Sequence, residues 1–299
     1  MIQEINLHSD IKLCIQREDL VHPQIQGNKF RKLTHNIAFA KANAYKTLLT
    51  FGGAYSNHIA ATAIAGKLEG MHTVGVIRGE ELEGNLEKTL SQNPTLSKAV
   101  ECGMQLEFVS RSDYKEKETS AFLEKLGEKY PNAYVLPEGG TNDLAIKGCK
   151  EILDEKGFTF DYVCCPVGTG GTISGIIESS RENQKIVGFP ALKGDFLEEE
   201  IKKWTSRTNW ELISEYHFGG YAKVDKTLIE FINSFHLTHK IQLDPVYTGK
   251  MIYGVLDLIS KGYFSPKSRI LAIHTGGLQG IQGMNQKLLQ KGLPIIQQK

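Results

Sequence analysis

Four short motifs hold the residue types that could do chemistry in this chain. They are Gly27-Asn28-Lys29, Gly52-Gly53 leading into Ser56-Asn57-His58, Gly168-Thr169-Gly170-Gly171-Thr172, and His274-Thr275-Gly276-Gly277. A lysine amine with a lowered pKa can attack an aldehyde and form a Schiff base. Glycines allow successive backbone N–H groups to turn inward, and a helix start adds partial positive charge, so a phosphate can be held without a basic side chain. A serine at the start of a helix caps it, and the same start can hold a carboxylate. One amine, one glycine-threonine cup, one Ser-Asn helix start and one hydroxyl beside a glycine pair suit an aldehyde cofactor that carries a phosphate. Pyridoxal phosphate is such a molecule, and its phosphate, phenolic oxygen and ring nitrogen all need partners from the protein.

Each motif taken alone has a plainer reading. Gly168–Thr172 is also a simple strand-to-helix turn; it lacks the lysine of a P-loop and comes too late in the chain for a dinucleotide fingerprint. Lys29, Arg31 and Lys32 are three cations that charge alone would leave on the surface. Ser56 is a good N-cap whatever the function, with Asn57 placed to reach the cofactor's phenolic oxygen. Thr275 follows a strand-like run, at the carboxyl edge where α/β ligands sit. His236 and His239 have metal-like spacing but no evident third ligand, so no metal is expected. The combination and order of the motifs carry the cofactor reading.

These residues have to be positioned by a chain of 299 residues, enough for about two domains at ~150 residues each. Forty per cent of the residues are hydrophobic and 23 per cent charged, as in an ordinary globular protein. Thirty-five basic residues against 34 acidic ones give a formal charge of +1, so no global field recruits nucleic acid or an anionic membrane. No apolar run reaches the ~20 residues of a membrane span, and Met1-Ile2-Gln3-Glu4 does not open a secretory signal. Five cysteines, two of them adjacent at Cys164-Cys165 inside an apolar run, read as buried thiols in a reducing, cytoplasmic setting.

Strand-like and helical patterns alternate along most of the chain, which predicts a parallel α/β sheet. Strands are expected at 47–51, 73–77, 105–110, 133–136, 162–166, 186–189 and 270–274. Helices are expected at 57–68, 96–102, 115–129, through Lys147, at 174–180, 194–205, 226–235 and 250–260, and after Gly277. Residues 191–245 include an irregular loop with Gly219-Gly220-Tyr221. The absence of a flexible linker predicts two closely packed units with a ligand cleft between them.

The motifs resemble, in order, those of the 1-aminocyclopropane-1-carboxylate deaminase and D-cysteine desulfhydrase family, pyridoxal-phosphate enzymes of the tryptophan-synthase-β-like fold. The resemblance runs from Arg17 to the last helix. It rests on R-E-D-L (17–20), G-N-K-F-R-K-L (27–33), S-N-H (56–58), P-E-G-G (137–140), G-T-G-G-T (168–172), D-P-V-Y-T-G-K (244–250) and H-T-G-G (274–277). It implies a two-domain, fold-type II α/β protein with twisted parallel sheets and the cofactor in the cleft. The large domain would comprise 1–35 and 148–299, with 36–147 inserted as the smaller one, and the protein would act as a homodimer.

By the same resemblance Lys29 is the Schiff-base lysine. Gly168, Thr169, Gly170, Gly171 and Thr172 hold the phosphate, Asn57 contacts the phenolic oxygen, and Thr275 faces the ring nitrogen. Ser56 takes the substrate carboxylate, with His58 and Thr248 beside the substrate. Tyr247 and Tyr221 face the substrate as catalytic residues. The chain departs from the pattern in a shorter N-terminus, in Ile59-Ala60-Ala61 where many members carry an arginine just after the histidine, and in the sequence around Tyr221. Deaminases of the family carry glutamate after the D-P-V-Y tyrosine and leucine in place of the H-T-G-G threonine; Thr248 and Thr275 are of the desulfhydrase kind. A lyase releasing sulfide, pyruvate and ammonia from D-cysteine is therefore expected, with cyclopropane deamination as the alternative. A regulator that binds the cofactor without turnover would not need Ser56 and Tyr247 together with Lys29.

Overall fold

The computed structural model describes residues 1–7 and 9–298. Strands β1 (Ile2–Ile5) and β2 (Lys12–Arg17) lead to helix α1 (Asn28–Ala42). Then follow β3 (Thr47–Gly53), α2 (Asn57–Glu69), β4 (His72–Arg78), α3 (Leu86–Gln92), α4 (Pro94–Glu101), β5 (Met104–Val109), α5 (Ser120–Lys129) and β6 (Ala133–Leu136). The chain continues through α6 (Asp143–Lys150), β7 (Tyr162–Val167), α7 (Gly171–Ser179), β8 (Lys185–Pro190), α8 (Phe196–Lys202) and β9 (Trp210–Leu212). It ends with α9 (Lys226–His239), α10 (Thr248–Ser260), β10 (Arg269–His274) and α11 (Gly280–Gln290).

Two compact units result, one of Met1–Lys32 with Asp143–Lys299, the other of Leu33–Asn142. The first holds a six-stranded sheet in the order β1-β2-β10-β7-β8-β9, parallel except for the antiparallel edge pair β1–β2. Its strands alternate their side chains between two apolar layers. Leu13, Ile15, Cys164, Ile270 and Ala272 face one layer, with Leu228, Ile232 and Val255. Cys14, Cys165, Leu271 and Ile273 face the other, with Ile173, Ile176 and Ile177. Both faces of the sheet are thus covered, which is why β7 and β10 read as continuous apolar runs. The second unit holds a parallel sheet in the order β5-β4-β3-β6. Leu49, Phe51, Val74 and Val76 pack on one side of it, and Ile59, Ala63, Ile77 and Leu96 make up the other cluster.

Three features differ from the sequence expectation. The charged stretch 115–129 is not one helix: a short 3-10 turn over Asp113–Glu116 precedes α5, whose start is capped by Thr119 Oγ1 accepting from Phe122 N–H. Helix α7 begins at Gly171, inside the glycine motif. Strands β1, β2 and β9 and helices α1 and α3 lie outside the expected set. No helix of the described residues is long and apolar enough to cross a membrane.

Candidate active site

In the first unit, three sequence-distant turns meet at the start of α1. Gly27 has φ +68, and a Cβ there would lie 1.9 Å from Thr275 O, so no side chain fits. Asn28 N–H donates to that same carbonyl at 3.2 Å. The H-T-G-G turn therefore clasps G-N-K from behind. His274 anchors the clasp: its Nε2 lies 2.7 Å from Gln242 O, and Gly276 N–H donates to its Nδ1 at 3.2 Å. A carbonyl can only accept, so Nε2 carries a proton, and Nδ1 also lies 3.4 Å from Asp19 Oδ1.

The clasp aims Asn28 and Lys29 at the glycine cup. Asn28 Nδ2 donates to Thr172 Oγ1 at 2.7 Å, and Lys29 Nζ donates to Asn28 Oδ1 at 3.1 Å. Burial lowers the Lys29 pKa from its ordinary 10.5 to about 7, and the neighbouring charge of Lys32 pushes in the same direction. Cys149, Asp244 and Cys165 pull weakly the other way. The three cations of the motif thus have different fates. Arg31 pairs with the buried Glu18, its Nε 2.9 Å from Oε2. Lys32 is buried, and burial lowers its pKa too. Lys29 is left with an amine that is neutral in good part near pH 7.

Helix α7 opens at Gly170, φ +84, with no side chain capping it. Its first-turn N–H groups have no intrahelical partner, and without a capping side chain they suit an anion. Tyr247 packs against this cup: a Cβ on Gly168 would sit 3.2 Å from its Cε1 and 3.3 Å from its hydroxyl. Tyr221 meets Tyr247 edge to face, with ring centroids 6.2 Å apart. The amine, the uncapped glycine helix start and the adjoining phenol fit pyridoxal phosphate: Lys29 would hold its aldehyde carbon, and Gly168–Thr172 its phosphate.

Thr248 is the residue expected beside the substrate. It is buried; its hydroxyl donates to Asp244 Oδ1 at 2.7 Å and accepts from Asp244 N–H at 2.9 Å. Both bonds hold the turn that opens α10. Asp244 in turn accepts from the N–H groups of Val246, Tyr247 and Thr248 at 2.7–3.0 Å. The Asp-Pro dipeptide is the sequence signal of this turn, and Asn28 is the partner of the Lys29 amine. Lys250, buried to 2 per cent exposure, donates to His217 O and Gly220 O at 2.8 Å each. Burial pushes its pKa down to about 8 against a weaker pull from Asp244.

The second unit holds the other expected residues. Ser56 caps α2, its Oγ accepting from His58 N–H at 3.2 Å and Ile59 N–H at 3.3 Å. Both hydroxyl lone pairs are used, so the O–H proton is what Ser56 can offer a ligand. Asn57 begins the helix. His58 is buried against Gly140, where a Cβ would lie 2.7 Å from the ring. That close approach gives P-E-G-G a structural meaning. No group of His, Cys, Asp and Glu able to hold a metal occurs among the described residues.

A model of the pyridoxal-phosphate-dependent enzyme family matches residues 2–276 of this chain. The chain belongs to that family. A Pyrococcus abyssi protein, named provisionally as a 1-aminocyclopropane-1-carboxylate deaminase, is 30% identical over 97% of this chain and 91% of its own length. An Arabidopsis thaliana protein named bifunctional D-cysteine desulfhydrase/1-aminocyclopropane-1-carboxylate deaminase, mitochondrial, is 31% identical over 92% of this chain and 74% of its own. A crystal structure of an ACC deaminase homologue superposes with a TM-score of 0.77 at 28% identity, covering 97% of this chain and 93% of that one. This pyridoxal-phosphate enzyme therefore has a fold-type II architecture.

Proposed function

We propose that this enzyme is a lyase of small amino acids that eliminates the β-substituent of D-cysteine, giving sulfide, pyruvate and ammonia. The observation that carries this reading is the neutral pair Thr248 and Thr275. Where family resemblance expects glutamate in a deaminase, Thr248 is buried and bonded to Asp244. At the end of β10, Thr275 offers a hydroxyl and no charge.

Pyridoxal phosphate, when bound, supplies an electron sink for the pair left on the α-carbon when its proton is removed. The chain's own groups handle protons and position. Lys29 Nζ, with a pKa near 7, exchanges a proton at neutral pH and would take it from the α-carbon. The α-C–H and β-C–S bonds break, and the sulfur leaves as thiolate. Tyr247, beside the cup and Tyr221, would hand the leaving sulfur a proton. Ser56 O–H and the start of α2 would hold the substrate carboxylate, and Asn57 the phenolic oxygen. Water then releases pyruvate and ammonia.

The names of the Pyrococcus and Arabidopsis relatives support a second reading, ring opening of 1-aminocyclopropane-1-carboxylate to 2-oxobutanoate and ammonia. One screen of purified enzyme with D-cysteine, L-cysteine, D-serine and the cyclopropane amino acid separates the two. Sulfide and pyruvate from D-cysteine, with little 2-oxobutanoate, is the expected result. Rapid 2-oxobutanoate release with D-cysteine inert overturns it.

A further inference from the structure

The segment around Tyr221 has no regular secondary structure to hold it. Phe218, Gly219, Gly220 and Ala222 have φ of +51, +89, +113 and +53, left-handed values that L residues adopt only when their surroundings enforce them. Two turns are closed by Gly220 N–H donating to His217 O at 3.0 Å and Lys223 N–H donating to Gly220 O at 3.1 Å. The same two carbonyls converge on one interior atom, Lys250 Nζ, at 2.8 Å each. Lys250 is buried, and its ammonium forms no salt bridge among the described residues. An ammonium drawn out of water without a carboxylate is costly, and here two loop carbonyls are its compensation.

Lys250 stands three residues after Tyr247 at the start of α10, so the two lie on one helix face. Tyr247 meets the Tyr221 ring while Lys250 grips the backbone on either side of the loop's centre. We infer that Lys250 is a positioning residue: it clamps the Phe218–Lys223 loop from inside and so sets Tyr221 against Tyr247. The effect on turnover rests on the substrate-facing reading of Tyr221 given above; the clamp itself does not.

Two variants, Lys250→Met and Lys250→Gln, test this in the cofactor-loaded enzyme. Amide hydrogen exchange across residues 217–223, measured without substrate, reads the clamp whichever substrate the enzyme takes. Exchange in Lys250→Met should accelerate by at least tenfold, with pyridoxal phosphate content and absorbance unchanged. Lys250→Gln keeps two N–H donors on a shorter arm and should recover part of the protection, giving a second reading should the methionine variant fold poorly. On turnover, kcat/KM should fall about 10–10²-fold in Lys250→Met, and adding Tyr221→Phe should then cost less than twofold, because both changes act through one ring. A role confined to stability would lower Tm and leave the two losses multiplicative. Unchanged loop exchange in both variants, or multiplicative losses, overturns the proposal. A Tyr221→Phe enzyme as fast as its parent, with exchange still raised in Lys250→Met, keeps the clamp and overturns the substrate-facing reading of Tyr221.

Discussion

The two units present helix starts of opposite construction. In the first, α7 opens on Gly170 with no side-chain cap, and Asn28 ties α1 to it through Thr172. Lys29 and Lys32 lie close by, both with lowered pKa. In the second, α2 opens on Ser56, whose hydroxyl already accepts two of the helix's own N–H groups. No lysine or arginine occupies the first turn of α2, and Ala60, Ala61 and Ala63 follow. An uncapped start leaves backbone N–H groups for an anion, whereas a capped start offers one O–H to a hydrogen-bond acceptor.

Lys29 is the sharpest point at which to break that contrast, because it would make the bound group permanent. Lys29→Ala should abolish turnover and leave the fold intact, since the side chain serves chemistry more than packing. In the parent protein loaded with pyridoxal phosphate, borohydride reduction should fix the cofactor mass on the peptide bearing Lys29. Modification of any other lysine, or substantial turnover by the alanine variant, would remove Lys29 from the centre of the site.

The elements behind this contrast were unequally legible in the sequence. The run through Cys164-Cys165 and the glycines after it announce β7 and the turn into α7, because an apolar stretch ended by glycine has few alternatives. Helix α1 was silent because it opens on Asn28, Lys29, Arg31 and Lys32, and cations at a helix start oppose the macrodipole. It is held by tertiary contacts no local pattern could announce: Thr275 O on Asn28 N–H, and Glu18 on Arg31. For the same reason R-E-D-L had motif value but no physical meaning until Glu18 was seen against Arg31. The resemblance alone pointed to Thr248, and no local pattern announced that its side chain completes the Asp244 turn. Lys250 was one more cation in a motif until its two carbonyl partners were located.

The lowered pKa of Lys29 predicts how cofactor-free protein responds to pH. The unfolded chain keeps this proton up to about pH 10.5, the folded one only to about 7. Between those values the unfolded state binds more protons, so stability rises with pH. The destabilisation is full below about pH 7 and gone above about 10.5. Compared with Lys29→Met, which lacks this titration, the parent should gain about 1.4 kcal/mol per pH unit within the window. Urea unfolding of both proteins from pH 6 to 10 checks it. Parallel stability curves would mean that the Lys29 amine is solvated as an ordinary lysine.

The smallest effects test the contrast most directly, because they compare the two helix starts by the same kind of change. Gly170→Ala puts a side chain at φ +84, and its Cβ would come 3.3 Å from Ile201 Cγ1. Holding an L residue there costs roughly 1–3 kcal/mol. Part of that cost should appear as distortion of the N–H cup, weakening pyridoxal phosphate binding about tenfold, the equivalent of about 1.4 kcal/mol. Ser56→Ala removes the cap of α2 and should cost about 1 kcal/mol of stability. It also removes the O–H offered to the substrate, so KM for the amino acid should rise while the cofactor stays as tightly bound as in the parent. The two variants lose comparable free energy, yet one loss should be read in cofactor titration and the other in substrate saturation. If Ser56→Ala loosens the cofactor as much as Gly170→Ala does, both helix starts serve the permanent group, and the substrate carboxylate must be held elsewhere.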